Sequence, residues 1–212
     1  MAKHVAVLGA GGHAKVVAFV LGLSGYHVVA FTDDDPLLQG RQVLGIPVAG
    51  THEVIPHLGV DAAVVGIGDN YCRQRWYRQL LTWGVPLVNA IHPSALIAQG
   101  VVLGQGVAVL ARVSINVEAQ VGSNAIVNTG AIVGHDCVVG EHAHVGPGAI
   151  LCGAVRVGAL AFLGAGTIVI PSCSIGERSV IGAGTVVLSD VPANVVAVGN
   201  PSRVVRGLDG AG

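Results

Sequence analysis

Charge is scarce in this chain. Of 212 residues, 11% are Asp, Glu, Lys or Arg, and 11 basic side chains nearly balance 12 acidic ones for a formal net charge of −1. No lysine- or arginine-rich run is present, so there is no electrostatic footprint for a nucleic acid or an anionic membrane surface. Aromatic residues make up only 4%, and the bulk of any core has to come from Val, Ile, Leu and Ala. The four cysteines, Cys72, Cys137, Cys152 and Cys173, form no C-x-x-C pair, which argues against a secreted disulfide framework and predicts reduced thiols in a cytoplasmic protein. The apolar stretch Val16 to Leu23 is too short to span a membrane and follows a glycine turn; it reads as a buried helix, not a signal-peptide core.

Glycine (32 residues) and aliphatic side chains are abundant. The length allows two small domains, and the pattern changes near residue 90, giving expected domains over 1–90 and 91–212. The first part alternates strands and helices: a strand over 4–8, a helix over 13–23, a strand over 26–32 and another over 62–67. A second helix follows from Asn70 as its cap through Trp76 to Leu81, and residues 87–90 close a small parallel sheet. Gly9, Gly11 and Ala14 make a loose dinucleotide fingerprint between strand and helix, with Asp33 ending the next strand. Such glycines let backbone amides approach a phosphate at a helix N-terminus. The same glycines also suit a plain tight turn, and about 90 residues are short for a complete dinucleotide fold, so a mononucleotide diphosphate fits better.

From Leu103 the chain repeats every six residues. Leu103, Val109, Ile115, Val121, Val127, Val133, Val139, Val145, Leu151, Val157, Leu163, Val169, Ile175, Ile181 and Val187 are all aliphatic, and a small residue precedes most of them by two places. Glycine follows nine of these fifteen, as at Gly122, Gly140 and Gly164. No amphipathic helix has this period. It describes a solenoid with three short faces per turn, one aliphatic knob per face, and glycine allowing unusual dihedrals near the corners. About five turns fit between 97 and 190.

The hexads, the ending Gly199-Asn200-Pro201-Ser202-Arg203-Val204-Val205-Arg206 and the motif Gly9-Ala10-Gly11-Gly12-His13-Ala14-Lys15-Val16-Val17 together resemble one family. It is the sialic acid O-acetyltransferase and nucleotide-amino-sugar N-acetyltransferase family, which includes bacillosamine and perosamine enzymes. The resemblance covers nearly the whole chain. It implies a Rossmann-like α/β domain ahead of a left-handed parallel β-helix, and acetyl-CoA as co-substrate with no permanently bound cofactor. The implied acceptor is the amino group of a nucleotide-linked amino-deoxy-sugar; a free sugar acetylated on oxygen and a non-catalytic nucleotide-sugar-binding protein are the alternatives.

By the same resemblance Gly9, Gly11, Gly12, His13 and Lys15 lie near the diphosphate or sugar, Asp33 and Asp34 near the base or ribose, and Gly68 and Asn70 in a second wall. Arg73 either steers phosphate or is a solvated helix arginine. Among nine histidines, His135, His142 and His144 fall close together. A metal site needs three converging ligands and an open fourth position, but spacings of seven and two scatter these residues around a hexad coil, so no metal is expected. General-base catalysis suits them better, because an amine attacking a thioester must lose a proton and histidine titrates near neutrality. His135 follows the knob Val133 by two places and projects outward near a corner. The family resemblance makes it the catalytic base with Asp136 in support, a pairing that requires a turn there.

His144, directly before the knob Val145, also faces outward and matches a position near the donor's acetyl group, while Asn128 matches one that orients the acceptor. His142 is expected at the surface. Cys137 and Cys173 occupy small inward places, so transfer is expected to be direct, with no acyl-enzyme. Gly153, Ala165 and Gly182 are candidate donor contacts, in a groove that the family forms between adjacent solenoids. Arg203 or Arg206 meets coenzyme A phosphates or is an ordinary surface charge. His135 and His144 stand half an 18-residue turn apart, which predicts a homotrimer with each site shared between neighbours.

Overall fold

A computed structural model describes residues 3–208. The chain divides after Pro93 into two compact units. In the first, strand β1 (His4–Leu8) leads through a glycine turn into helix α1 (Gly12–Leu23) and strand β2 (His27–Thr32). A small hairpin of β3 (Gln42–Val43) and β4 (Ile46–Pro47) and a 3-10 helix over His52–His57 precede strand β5 (Ala62–Val65) and helix α2 (Asn70–Thr82). The main sheet has the order β2-β1-β5, all parallel, and Leu87 extends it by one bridge to Ala63. Both faces of the central strand are covered, with Val5, Ala6, Val7 and Leu8 all fully buried. That is why β1 and β5 read as continuous apolar runs instead of alternating ones.

Two features depart from the sequence reading. The hairpin carries no hairpin signal in the sequence, because its turn uses Leu44 and Gly45, both at positive φ, where the usual signal is Asn-Gly. Helix α2 is capped by Asp69, not Asn70: Asp69 is extended and its carboxylate accepts from the Cys72 amide at 2.8 Å, so Asn70 is the first helical residue.

The second unit is a left-handed parallel β-helix. Its first face stacks six two-residue rungs from Leu96–Ile97 to Val186–Val187; its second stacks five from Val102–Leu103 to Ser174–Ile175. The third runs from Ala108–Val109 through His144–Val145 to Val195–Val198, where an antiparallel strand, Arg203–Gly207, covers its end. Each rung pairs with the one a full coil away, as Ile115 with Val133 and Val133 with Leu151. Every knob from Val109 to Val187 is at most 2% exposed; Leu103, in the first coil, is half-buried. The solenoid comes close to six turns, more than the expected five. A shortened last coil continues it, with Val191 bridging Ile175 and Val196 pairing with Val180.

The glycines after the knobs have a different cause from the one expected. Left-handed backbone occurs three places after every knob from Leu103 to Ile181, and ordinary residues adopt it at many of these positions, as at Asn124 (φ 58), Asp136 (φ 59) and Leu160 (φ 61). The glycines directly after the knobs are required by space. A Cβ on Gly140 would stand 2.6 Å from the Ala159 nitrogen, and one on Gly158 would stand 2.5 Å from the Glu177 nitrogen. Close stacking of backbone on backbone therefore writes that part of the repeat.

Candidate functional sites

In the first unit, the turn between β1 and α1 is bolted to the end of β2. The Gly9 amide donates to the Thr32 carbonyl at 2.7 Å, and the Ala10 amide donates to Asp33 Oδ2 at 2.8 Å. Asp33 Oδ1 accepts from the Asp35 amide at 2.9 Å, so both of its oxygens shape the loop. The Asp34 side chain, in contrast, is 53% exposed. Asp34 Oδ1 accepts from the His52 amide at 3.2 Å, which tethers it to the 3-10 helix.

Gly9 is needed for its φ of +96, while Cβ atoms on Gly11 and Gly12 would meet nothing within 4 Å. Those two therefore keep an open approach to the first turn of α1. Its N-cap, Gly11, supplies no side-chain cap, and no acidic residue stands in that turn to compete with an incoming anion. Gly66 serves packing: a Cβ there would lie 2.8 Å from Val7 Cγ1 and 2.9 Å from Ala14 Cα.

His13 and Lys15 share α1 but differ in character. Lys15 is exposed. Burial, and secondarily the Arg73 guanidinium, pull the His13 imidazole down from 6.5 to about 4. At neutral pH His13 is thus an uncharged hydrogen-bonding group, and Lys15 carries the charge. Arg73 is neither the solvated residue nor the free phosphate guide considered above, being 1% exposed. It donates to the Gly68 carbonyl at 2.9 Å, to the Ile67 carbonyl at 3.2 Å and to Asn70 Oδ1 at 2.8 Å, pinning the second loop. Burial lowers its pKa to about 10, so it stays protonated near neutrality. Nothing in the sequence singled out the neighbouring buried cluster: Thr32 Oγ1 meets His52 Nδ1 at 2.8 Å, and the His52 ring packs edge-on against Trp76 at 4.5 Å.

In the second unit, His135 stands at the corner between the first and second faces. Asp136 turns the chain at φ 59, and His135 Nδ1 donates to Asp136 Oδ2 at 2.6 Å, with both side chains about three-fifths exposed. The corner is the turn that pairing of adjacent residues requires. With Asp136 accepting, the proton sits on Nδ1 and the Nε2 lone pair is available.

His144 lies on the third face and is 8% exposed. Its ring packs edge-on against Phe162 at 5.0 Å, and its Nε2 lies 3.0 Å from the Asn128 amide nitrogen. Within one chain, Asn128 therefore engages His144. His142 is not a surface residue: it is 4% exposed, with Asn124 Nδ2 at 2.9 Å from its Nδ1. Among the described residues no three His, Cys, Asp or Glu side chains are grouped to hold a metal ion.

Ala165 and Gly182 lie close to the third face, beside the rungs Phe162–Leu163 and Val180–Ile181 that continue the His144 column. Gly153 stands instead at the corner of His135, one coil further on. Cys137 and Cys173 are buried at small inward places, and burial raises both thiols above their ordinary range. Arg203 and Arg206 are exposed, Arg203 donating to the Ser202 carbonyl at 2.8 Å. No helix among the described residues is long and apolar enough to cross a membrane.

Two family models match the chain: a PglD N-terminal domain over residues 4–80 and a bacterial transferase hexapeptide (six repeats) over 154–189. Among solved structures, a histidine-to-asparagine variant of perosamine N-acetyltransferase from Caulobacter crescentus, in complex with CoA and GDP-perosamine, is 46% identical. The match covers 96% of this chain and 97% of that one at a TM-score of 0.93. The acetyltransferase domain of PglB from Neisseria gonorrhoeae, in complex with acetyl coenzyme A, is 33% identical over 97% of this chain and 100% of that one, at a TM-score of 0.92. UDP-N-acetylbacillosamine N-acetyltransferase from Bacillus subtilis is 33% identical over 115 residues, a match that spans 51% of this chain and 52% of that protein.

Proposed function

From a chain that belongs to the hexapeptide-repeat family of nucleotide-amino-sugar N-acetyltransferases, we infer an enzyme that moves an acetyl group from acetyl-CoA to the amino group of a nucleotide-linked amino-deoxy-sugar. The observation that carries the mechanism is the 2.6 Å bond from His135 Nδ1 to Asp136, which presents Nε2 as a proton acceptor on an exposed corner. The acceptor's amine attacks the thioester carbonyl carbon, and His135 Nε2 takes the proton that the nitrogen gives up. The tetrahedral intermediate collapses, breaking the C–S bond, and the proton passes to the departing coenzyme A sulfur. Transfer is direct: the buried Cys137 and Cys173 thiols are held in their unreactive protonated form.

Acceptor recognition is assigned to the glycine loop, with Gly9, Gly11, Gly12, His13 and Lys15 at the diphosphate and Asp34 at the nucleoside, while Asp33, Gly68 and Asn70 hold the surrounding loops. Donor contacts are assigned to His144, Ala165 and Gly182. The working unit is a homotrimer in the cytoplasm. Supporting the oligomer, the outward column of the first face runs Leu96, Ser114, Ile132, Ile150, Ile168 and Val186, an almost unbroken aliphatic ladder. Leu96, Ile132 and Ile168 are exposed on it, and a second copy of the chain is the occupant that closes such a face about a threefold axis.

The test is thiol release from acetyl-CoA with GDP-linked amino sugars, UDP-linked amino sugars and free sialic acid as acceptors, on wild type and His135→Ala. Release with a nucleotide amino sugar, reduced about 10²- to 10⁴-fold in the variant, is the expected result. Release only with the free sugar establishes O-acetylation, and nucleotide-sugar binding without release establishes a non-catalytic protein.

A further inference from the structure

Corner positions of successive coils stack, so His135 looks directly onto Gly153, and the coils are tied there by the Ala154 amide donating to the His135 carbonyl at 2.8 Å. A Cβ on Gly153 would overlap the imidazole: its three nearest atoms are His135 Nε2, Cε1 and Cδ2, the last at 3.2 Å. The glycines that follow the knobs Val139 and Val157 would meet backbone of the next coil. Gly153 does not lie among the glycines with positive φ. At 153 no positive φ requires glycine, and the three atoms nearest to an added Cβ belong to the His135 ring and not to backbone.

We propose that Gly153 is a positioning residue of the transfer site, whose missing side chain lets the His135 imidazole lie along the next coil while its Nδ1 is held by Asp136. The ring is then fixed at two points. Asp136 sets which nitrogen carries the proton, and the bare Cα of Gly153 sets where the other nitrogen points. A methyl group at 153 would claim the space of Nε2 and Cε1, so the ring must turn, either losing the Asp136 bond or aiming its lone pair elsewhere. Gly153 acts through His135, and its own carbonyl is already engaged by the Ser172 amide at 3.0 Å.

This inference rests on His135 being the base, and the experiment separates the two. In the full-length protein, Gly153→Ala is compared with His135→Ala and the double variant, using acetyl-CoA and an acceptor that wild type acetylates. The expected result for Gly153→Ala is a kcat lower by roughly 10- to 100-fold, the scale of an ångström-sized misplacement, with an unchanged KM for acetyl-CoA. The ¹⁵N signals of the His135 imidazole move in that variant. On the His135→Ala background the added methyl has no further effect, because the ring it displaces is gone.

Wild-type kcat in Gly153→Ala beside a disabled His135→Ala overturns the role of Gly153 and leaves the base in place. Full activity in His135→Ala overturns the base reading itself. A raised KM for acetyl-CoA, or a further loss on the His135→Ala background, makes Gly153 a donor contact and overturns the proposal. Should Gly153→Ala fold poorly, the double variant has room for the methyl and regains the melting temperature of His135→Ala. Failure to regain it shows backbone crowding and likewise overturns the proposal.

Discussion

Asn128 fixes the protonation of His144. Its side-chain oxygen accepts from the Thr129 amide at 2.8 Å, so the amide nitrogen is the atom turned towards His144 Nε2 at 3.0 Å. That nitrogen can only donate, so Nε2 accepts and the ring proton sits on Nδ1. Asn128→Asp replaces the donor by an acceptor and draws the proton to Nε2. It is expected to lower kcat by up to about 10²-fold, the scale for a group misplaced beside the reacting atoms. Steady-state kinetics with both substrates varied checks this, and an unchanged kcat returns Asn128 to a structural role.

His135 at the corner and His144 on the third face are presented on different sides of one coil. If neighbours share each site, mixing inactive His135→Ala chains with inactive His144→Ala chains under subunit exchange restores part of the activity. Charging the aliphatic ladder, as in Ile132→Glu with Ile168→Glu, is expected to dissociate the assembly and abolish turnover together. Analytical ultracentrifugation beside the activity assay reads both, and a fully active monomer defeats the shared site.

Gly140→Ala tests the spacing of the coils. Its new Cβ would sit 2.6 Å from the Ala159 nitrogen, and backbone held by ladder hydrogen bonds has little freedom to retreat. Urea unfolding is expected to show a loss of about 1–3 kcal/mol. A midpoint equal to wild type would show that the solenoid tolerates wider spacing there.

Acid destabilises the first unit through His13. The unfolded chain takes up a proton as pH falls through about 6.5, whereas folded His13 refuses it until about pH 4. Stability is therefore complete above pH 6.5, declines between 6.5 and 4 by an amount on the order of 3 kcal/mol, and is level again below. His52, whose pKa burial also lowers against the pull of Asp34, adds in the same direction. In His13→Gln the acid-side decline is expected to shrink, measured by chemical unfolding at pH 7.5, 6, 5 and 4.

The solenoid was legible in the sequence because its pattern is local. Each knob, its small neighbour and its outward residues repeat within six positions, so the inward register and the outward setting of His135 follow from counting. The α/β unit was legible to the level of its main strands and helices, since buried parallel strands leave apolar runs. The caps and turns were harder: Asp69 and Asn70 both suit an N-cap, and only the backbone at 69 decides between them.

What the sequence by itself determined is the β-helix, the aliphatic core and the presence of a histidine–acid pair at a turn, because short-range periodicity and steric fit specify them. Only the tertiary structure decided that Arg73 and His142 are buried, that Asp33 spends both oxygens on its own loop, and that Gly153 lies against the His135 ring. Those facts depend on which residues of neighbouring coils and loops arrive side by side. Charge and residue type carry no record of that neighbour, whereas burial, desolvation and the space for a Cβ are set entirely by it.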